Sequence, residues 1–355
     1  MPEMTTHERV KRMHEHREAD RVPVTDSAWS STVRRWRAEG LPEGVSYEEY
    51  FQLDRFGWFE VDNSPRYPVA FIEETDDYIV ETINWGATLR RWKLRGGTPE
   101  FLNFTVKTPD DWAKAKKRMA PSRDRIDWAG LRKNYPLWIR QGAWTSAGFC
   151  FGFDVTHSHF VGTENLLMAM ATDPEWVRDM FNHFLDVEIA LWDMVLEEGY
   201  RFDEIFWCDD MGYKGTQFFS MAMYRDLLKG AHARAIEWAH AHGMKAGLHS
   251  CGNISVFIPE LLDIGLDSLN PIEVKAGMDP VALKRQYGGR LCFRGGLNAA
   301  LYDKPELLWE AMRRVVPAMK KDGGYMISSD HSVPETVSFQ TFGEFVRLAK
   351  ELGRY

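Results

Sequence analysis

Two hydrophobic periods alternate along the second half of the chain. Short, unbroken apolar runs occupy PLWIRQGA (136–143), EIFWCDD (204–210), KAGLHSC (245–251), SLNPIE (268–273), LCFRGG (291–296) and YMISSDH (325–331). Most begin apolar and turn polar at the C-terminal end. A strand covered on both faces shows no alternation, so such runs predict parallel strands flanked by helices. Patterns of helical period stand between them. TDPEWVRDMFNHFLDVEIALWDMVLEEGY opens on Thr172, Asp173, Pro174 and Glu175: a cap, a first-turn proline and an acid three residues after the threonine. Its Val177, Met180, Phe181, Phe184 and Leu185 repeat at helical spacing. FFSMAMYRDLLKGAHARAIEWAHAHG runs to a closing Gly243, GMDPVALKRQYGG from Asp279–Pro280 to Gly288, and VSFQTFGEFVRLAKELGRY ends the chain. In DKPELLWEAMRRVVPAMKKDGG, Pro317 lacks the N–H a helix needs, which predicts a kink or break there.

Strand–helix repetition implies right-handed βαβ units. Five such units lie between 204 and 352, and PLWIRQGA supplies a sixth strand. DRVPVTDS (20–27) and GWFEVDN (57–63) read as the first and second strands, with the helical YEEYFQLDRF between them. Eight strands predict an α/β fold: a single (β/α)8 TIM-type barrel domain over 1–355. Residues 1–20 read as an N-terminal helical extension, and DDYIVETINWGATLRRWKL (76–94) as a hairpin insertion around Gly86, laid outside the barrel. A doubly wound open sheet is the structural alternative, but no GxGxxG follows the first strand.

With 44% hydrophobic and 27% charged residues, 355 residues can bury a large core under a soluble surface. A net charge of −8 argues against a nucleic-acid partner, which wants a basic face. The four cysteines, Cys150, Cys208, Cys251 and Cys292, are far apart and form no CxxC, which fits a reducing cytoplasm. The N-terminus is charged and without the apolar stretch of a signal peptide, and no run approaches the roughly 18 apolar residues of a membrane span.

Chemistry in a parallel barrel sits at the C-terminal strand ends. Those ends offer Asp209 and Asp210, with Tyr213 just beyond; His249 and Cys251; Asn270 and Glu273; Arg294; and Asp330 and His331. Residues i and i+2 of a strand face one side, so His249 and Cys251 can point together into the mouth. Imidazole and thiolate both suit zinc, and a catalytic zinc takes three protein ligands. The remainder can come from Asp209 or Asp210 and from Asp330 or His331. The bland alternative is a buried thiol beside a hydrogen-bonded histidine. Arg294 suits a substrate carboxylate or a salt bridge to Glu273. Trp29, Trp144, Phe151 and Tyr213 line a pocket or simply pack the core. His157 and His159 fall on a loop before a helix, as ligands, a proton shuttle or surface residues. His240 and His242 sit at a helix end, where the dipole favours them.

The block from DDMGYKGTQFF to LCFRGGLNA, with READRVPV before it and SSDHSVPETVSFQTFGEFVRLAKELGRY after it, resembles the uroporphyrinogen decarboxylase superfamily over most of residues 17–355. HSCG, the GG after the seventh strand and DHSVP carry the resemblance most specifically. It implies a (β/α)8 barrel. True uroporphyrinogen decarboxylases are cofactor-free and place an RQAGR-type motif just after the first strand. Here that place reads DSAWSSTVRRWRAEG, with Arg34, Arg35 and Arg37 further on. The chain is more similar to the cobamide-dependent methyltransferase branch through its HxC, His249 and Cys251. That family's motif continues to a later Cys, whose position falls near Asp330. The resemblance therefore implies zinc on His249, Cys251 and Asp330, and methyl transfer from a small methylated substrate, a methoxylated aromatic among them, to a corrinoid carried by a partner protein. Asp209, Asp210 and His331 are the catalytic candidates, and Trp29, Trp144, Tyr213, Asn270, Glu273 and Arg294 the substrate-binding ones. The alternative is a metal-free decarboxylase, with Asp210 stabilising cationic intermediates and Arg294 holding a carboxylate. A catalytically silent binding protein is a third reading.

Overall fold

The computed structural model describes residues 3–94 and 96–355. Thirteen strands are ordered among them: β1 (Phe56–Glu60), β2 (Phe71–Glu74), β3 (Tyr78–Thr82), β4 (Ala87–Trp92), β5 (Glu100–Phe104), β6 (Trp144–Phe149), β7 (Glu204–Cys208), β8 (Gly212–Tyr213), β9 (Thr216–Gln217), β10 (Lys245–His249), β11 (Ser268–Asn270), β12 (Cys292–Arg294) and β13 (Tyr325–Met326). Seven of these build one curled parallel sheet in the order β1-β6-β7-β10-β11-β12-β13, as in a TIM-like barrel. The expected first strand, 20–27, forms no ladder. It makes isolated bridges only, parallel from Val24 to Ile327 and antiparallel from Arg21 to Arg354, and the Val24 carbonyl accepts the Asp54 N–H at 2.9 Å.

The sheet has two distinct faces. Phe56, Trp58 and Glu60 turn inward, with Arg294 over the Phe56 ring and Trp58 edge-on to Phe206. Gly57 and Phe59 turn outward, against Trp138 and Trp192 of the surrounding helices. The same alternation sends Ser146 and Glu204 inward, hydrogen-bonded to each other at 2.6 Å. Registers Cys208↔His249 and His249↔Asn270 place the inner residues of successive strands side by side. Both faces are covered, so the strands read as unbroken apolar runs. The helix Thr6–His14 closes the N-terminal end of the sheet through a small buried cluster of Val10, Met13, Ala19, Trp144, Cys292 and Met326.

Three expectations are corrected. PLWIRQGA is no strand: it ends the helix Trp128–Arg140, capped by Asp127, and the strand starts after it at Trp144. Leu137 and Ile139, which made the run look buried, are 39% and 53% exposed. Pro317 does not break its helix, which runs Pro305–Lys320. The carbonyl freed by proline belongs to Arg313, on the exposed side, where water can satisfy it. His157 and His159 lie not on a loop but in a π-helical turn, Thr156–Phe160. Around Gly86, β3 and β4 pair antiparallel inside a four-stranded sheet, β2-β3-β4-β5. Among the described residues no helix is long and apolar enough to cross a membrane.

Candidate active site at the C-terminal strand ends

Asp210, His249 and Cys251 each place a ligand atom within 4.8 Å of the other two. Strand phase explains the grouping. Residues 204, 206, 208 and 210 share the inner face, as do 247, 249 and 251. Asn270 Oδ1 meets His249 Nδ1 at 2.5 Å, which turns Nε2 towards Cys251 Sγ (3.3 Å) and Asp210 Oδ1 (3.7 Å). Asp210 Oδ1 also accepts the Cys251 N–H at 2.7 Å, locking the turn to the neighbouring strand end. Burial pushes the Asp210 carboxyl up while His249 pulls it down. Burial, with Asp210 and Glu273 nearby, pushes the Cys251 thiol up. Three donors of N, S and O type, with the imidazole oriented through its other nitrogen, suit a catalytic zinc that keeps one position open.

The trio borders a cavity of about 330 Å³ together with Asp26, Trp29, Asn270, Arg294, Ser329 and His331. The Arg294 carbonyl accepts from the Asn270 amide at 3.0 Å, but its guanidinium forms no hydrogen bond or ion pair with any described residue and lies 4.6 Å over the Phe56 ring and 5.5 Å over that of Phe206. Trp29 and His331 face each other with ring centres 6.0 Å apart. Asp26 was missed by the sequence reading, although it ends the segment 20–27 as the other polar residues end theirs. Burial pushes its carboxyl up to about 7, against hydrogen bonds from the Ser329 hydroxyl (2.7 Å) and the N–H groups of Ser329 and Ser27.

Other candidates go elsewhere. Asp209 is out of phase with Asp210 and fully buried behind the sheet, where it takes the Asp154 N–H and pairs with His232, each at 2.7 Å. It positions the strand end and cannot touch a substrate. Asp330 stands apart from the trio: its oxygens accept the N–H groups of Val274 and Ala299, while Asp210 is the carboxylate beside His249 and Cys251. Trp144 starts β6 at the opposite end of the sheet and stacks on His14, 5.2 Å between centres. Glu273 accepts the Gly252 N–H from behind the turn, at 2.5 Å, and Tyr213 is 60% exposed; both border an outer pocket with Lys214 and Lys275. Phe151 is core, packed on Trp207 and His232. His157 pairs with Asp154 at 3.3 Å, and His240 with Asp267 at 2.7 Å. Arg35 binds Glu39 and the carbonyls of Glu335 and Thr336, and Arg37 the carbonyl of Leu41.

A family model for uroporphyrinogen decarboxylase (URO-D) matches residues 92–352. The chain belongs to the uroporphyrinogen decarboxylase family. Among solved structures, a methyltransferase from Methanosarcina mazei shares the fold of this uroporphyrinogen decarboxylase family member, with a TM-score of 0.66 at 14% identity over 98% of this chain and 99% of that one. A putative vitamin-B12 independent methionine synthase from Listeria monocytogenes aligns over 95% of this chain and 98% of that one, at 11% identity and a TM-score of 0.42. None of the curated proteins matches.

Proposed function

We propose that the protein is a methyltransferase that moves a methyl group from a small methylated substrate, a methoxylated aromatic among the candidates, to a corrinoid carried by a partner protein. Convergence of Asp210, His249 and Cys251 on one cavity carries this reading. These three would hold zinc, which supplies Lewis-acid polarisation of the atom bearing the methyl group. The chain's own residues do the rest. Asn270 fixes the imidazole. Arg294, unpaired over two rings, takes an anionic part of the substrate. Asp26, its carboxyl pushed up to about 7 by burial, can take or give a proton near neutral pH on the same cavity wall. A groove of about 930 Å³ also borders Asp210, with His157 and Phe218 along it, and is the face on which such a partner would dock. Likeness in fold to the Methanosarcina mazei methyltransferase agrees with the reading. The segment Val22–Thr25 acts as the eighth stave of a closed barrel around this site, in support of which stand its contacts to Ile327 and Asp54.

A metal-free decarboxylase is the second reading, favoured by the family match and by the unpaired Arg294. It lacks the ring of guanidinium groups a polyacid needs, since Arg35 and Arg37 are spent on the helix and carbonyls around them. Metal analysis of the purified protein separates the two. About one zinc per chain is expected, falling by at least tenfold in Cys251→Ala and His249→Ala and unchanged in Asp330→Asn. Wild-type protein without zinc, able to release CO2 from a carboxylated substrate, would establish the second reading instead.

A further inference from the structure

Two cavities meet inside the barrel mouth. The first, of about 330 Å³, holds the trio and Arg294. The second, of about 370 Å³, is lined by Trp58 of β1, Gly148 of β6 and Cys208 of β7 among others. Phe206 is the one described residue that lines both. Trp58, Gly148, Phe206 and Cys208 all share the inner strand face, so the two cavities are parts of one chamber and Phe206 is the partition between them.

The sheet is built around that ring. Phe206 is in register with Gly148 on one side and with Gly247 of β10 on the other. A Cβ on Gly247 would stand 2.7 Å from Phe206 Cδ2, so the ring fills the space of that absent side chain. A Cβ on Gly148 would stand 2.6 Å from Trp58 Cζ2, so the indole fills the other. The two rings meet edge-on, at 75° with centres 6.0 Å apart. Phe206 is buried, and a ring packed among such neighbours keeps its rotamer. The Arg294 guanidinium lies 5.5 Å over the same ring. An acid held by Arg294 therefore starts beside the partition. Its body can extend towards the trio but not into the second cavity. The first cavity alone is at the small end of ligand pockets, whereas the two joined would hold a much larger molecule.

We propose, resting on Arg294 as the group that takes the anionic part of the substrate, that Phe206 is a specificity-determining residue: it closes the cavity beside Arg294 and limits the substrate to a small acid of no more than one ring.

Calorimetric titration of the full chain with benzoate and with biphenyl-4-carboxylate tests this, because the two share a carboxylate and differ by one ring. Wild type should bind benzoate at least about tenfold more tightly, against the greater hydrophobicity of the longer acid. Phe206→Ala should reverse the order, the longer acid gaining at least about tenfold. Phe206→Leu leaves the core better filled, should move the ratio the same way, and stays informative if the alanine variant does not fold. Trp58→Ala should keep the wild-type preference, because Trp58 lines the second cavity and not the first; this separates loss of the partition from general loosening. Equal binding of the two acids by wild type, no gain of the longer acid in either Phe206 variant, or the same gain in Trp58→Ala would overturn the proposal. Arg294→Leu keeps the two readings apart. Benzoate binding that is lost there, with no size preference in wild type, leaves Arg294 its role and removes only that of Phe206. Benzoate that fails to bind wild type, or binds Arg294→Leu undiminished, removes the role of Arg294 and the size limit with it.

Discussion

His14 shows how far one buried side chain can couple the fold to pH. It is stacked on Trp144, neither ring nitrogen has a hydrogen-bond partner, and burial pushes its pKa down to about 4. The unfolded chain takes up this proton near pH 6.5, the folded one only near 4. Stability is therefore full above 6.5 and is lost as pH falls through that window, by about 3 kcal/mol for the one group. In His14→Phe, denaturant unfolding at pH 7 and pH 4.5 should differ by about 2 kcal/mol less than in wild type. At the same scale, strand phase was already written in the residues around the trio. Asp210 lies an even number of positions from Glu204 and Phe206, and Asp209 does not. Parity alone thus separates the inward acid from the outward one.

At the scale of elements, the turn after β10 is held by contact between two backbones. Gly252 has φ +79°, and a Cβ on it would stand 2.3 Å from the Gly212 carbonyl carbon; a Cβ on Gly212 would stand 2.5 Å from the Cys251 carbonyl oxygen. Gly252→Ala should leave the circular dichroism spectrum of the fold in place while lowering zinc occupancy at least tenfold, because the turn must shift and Cys251 moves with it. Asp209 acts at this scale too. Asp209→Ala leaves His232 Nε2 without a partner in the core, with only the Tyr224 hydroxyl at Nδ1, and should lower unfolding free energy by about 3 kcal/mol in a urea titration. Helix starts were the most legible elements, since a cap such as Asp279, accepting the Val281 N–H ahead of Pro280, is local chemistry. PLWIRQGA mimics a strand because Leu137 and Ile139 are apolar yet exposed, and an apolar run signals a buried strand only where apolar residues are buried.

For the whole molecule, the seam between the N-terminal segment and β1 rests on Asp54. Its carboxylate is fully buried and takes Arg9, Arg21, the Thr6 hydroxyl and the Val24 N–H. Asp54→Ala leaves Arg9 buried without that partner. The expected loss is about 3 kcal/mol of unfolding free energy, with faster amide exchange along Val22–Thr25. Wild-type exchange rates there would refute the seam.

From its sequence alone the chain determined the alternation of strands and helices, and the gathering of acids, imidazoles and a thiol at one set of strand ends. Both follow from periodicity, which is local. It determined the His249–Cys251 pair for the same reason, since i and i+2 share a face in any strand. Only the tertiary structure decided the third member of that group. Asp210 and Asp330 are both aspartates that follow a strand. Sheet register brings Asp210 alongside Cys251, while the loops around Val274 and Ala299 offer their N–H groups to Asp330 and occupy it. The unpaired guanidinium of Arg294 was decided there as well, because a missing partner is a property of the space around a residue and leaves no mark in the sequence.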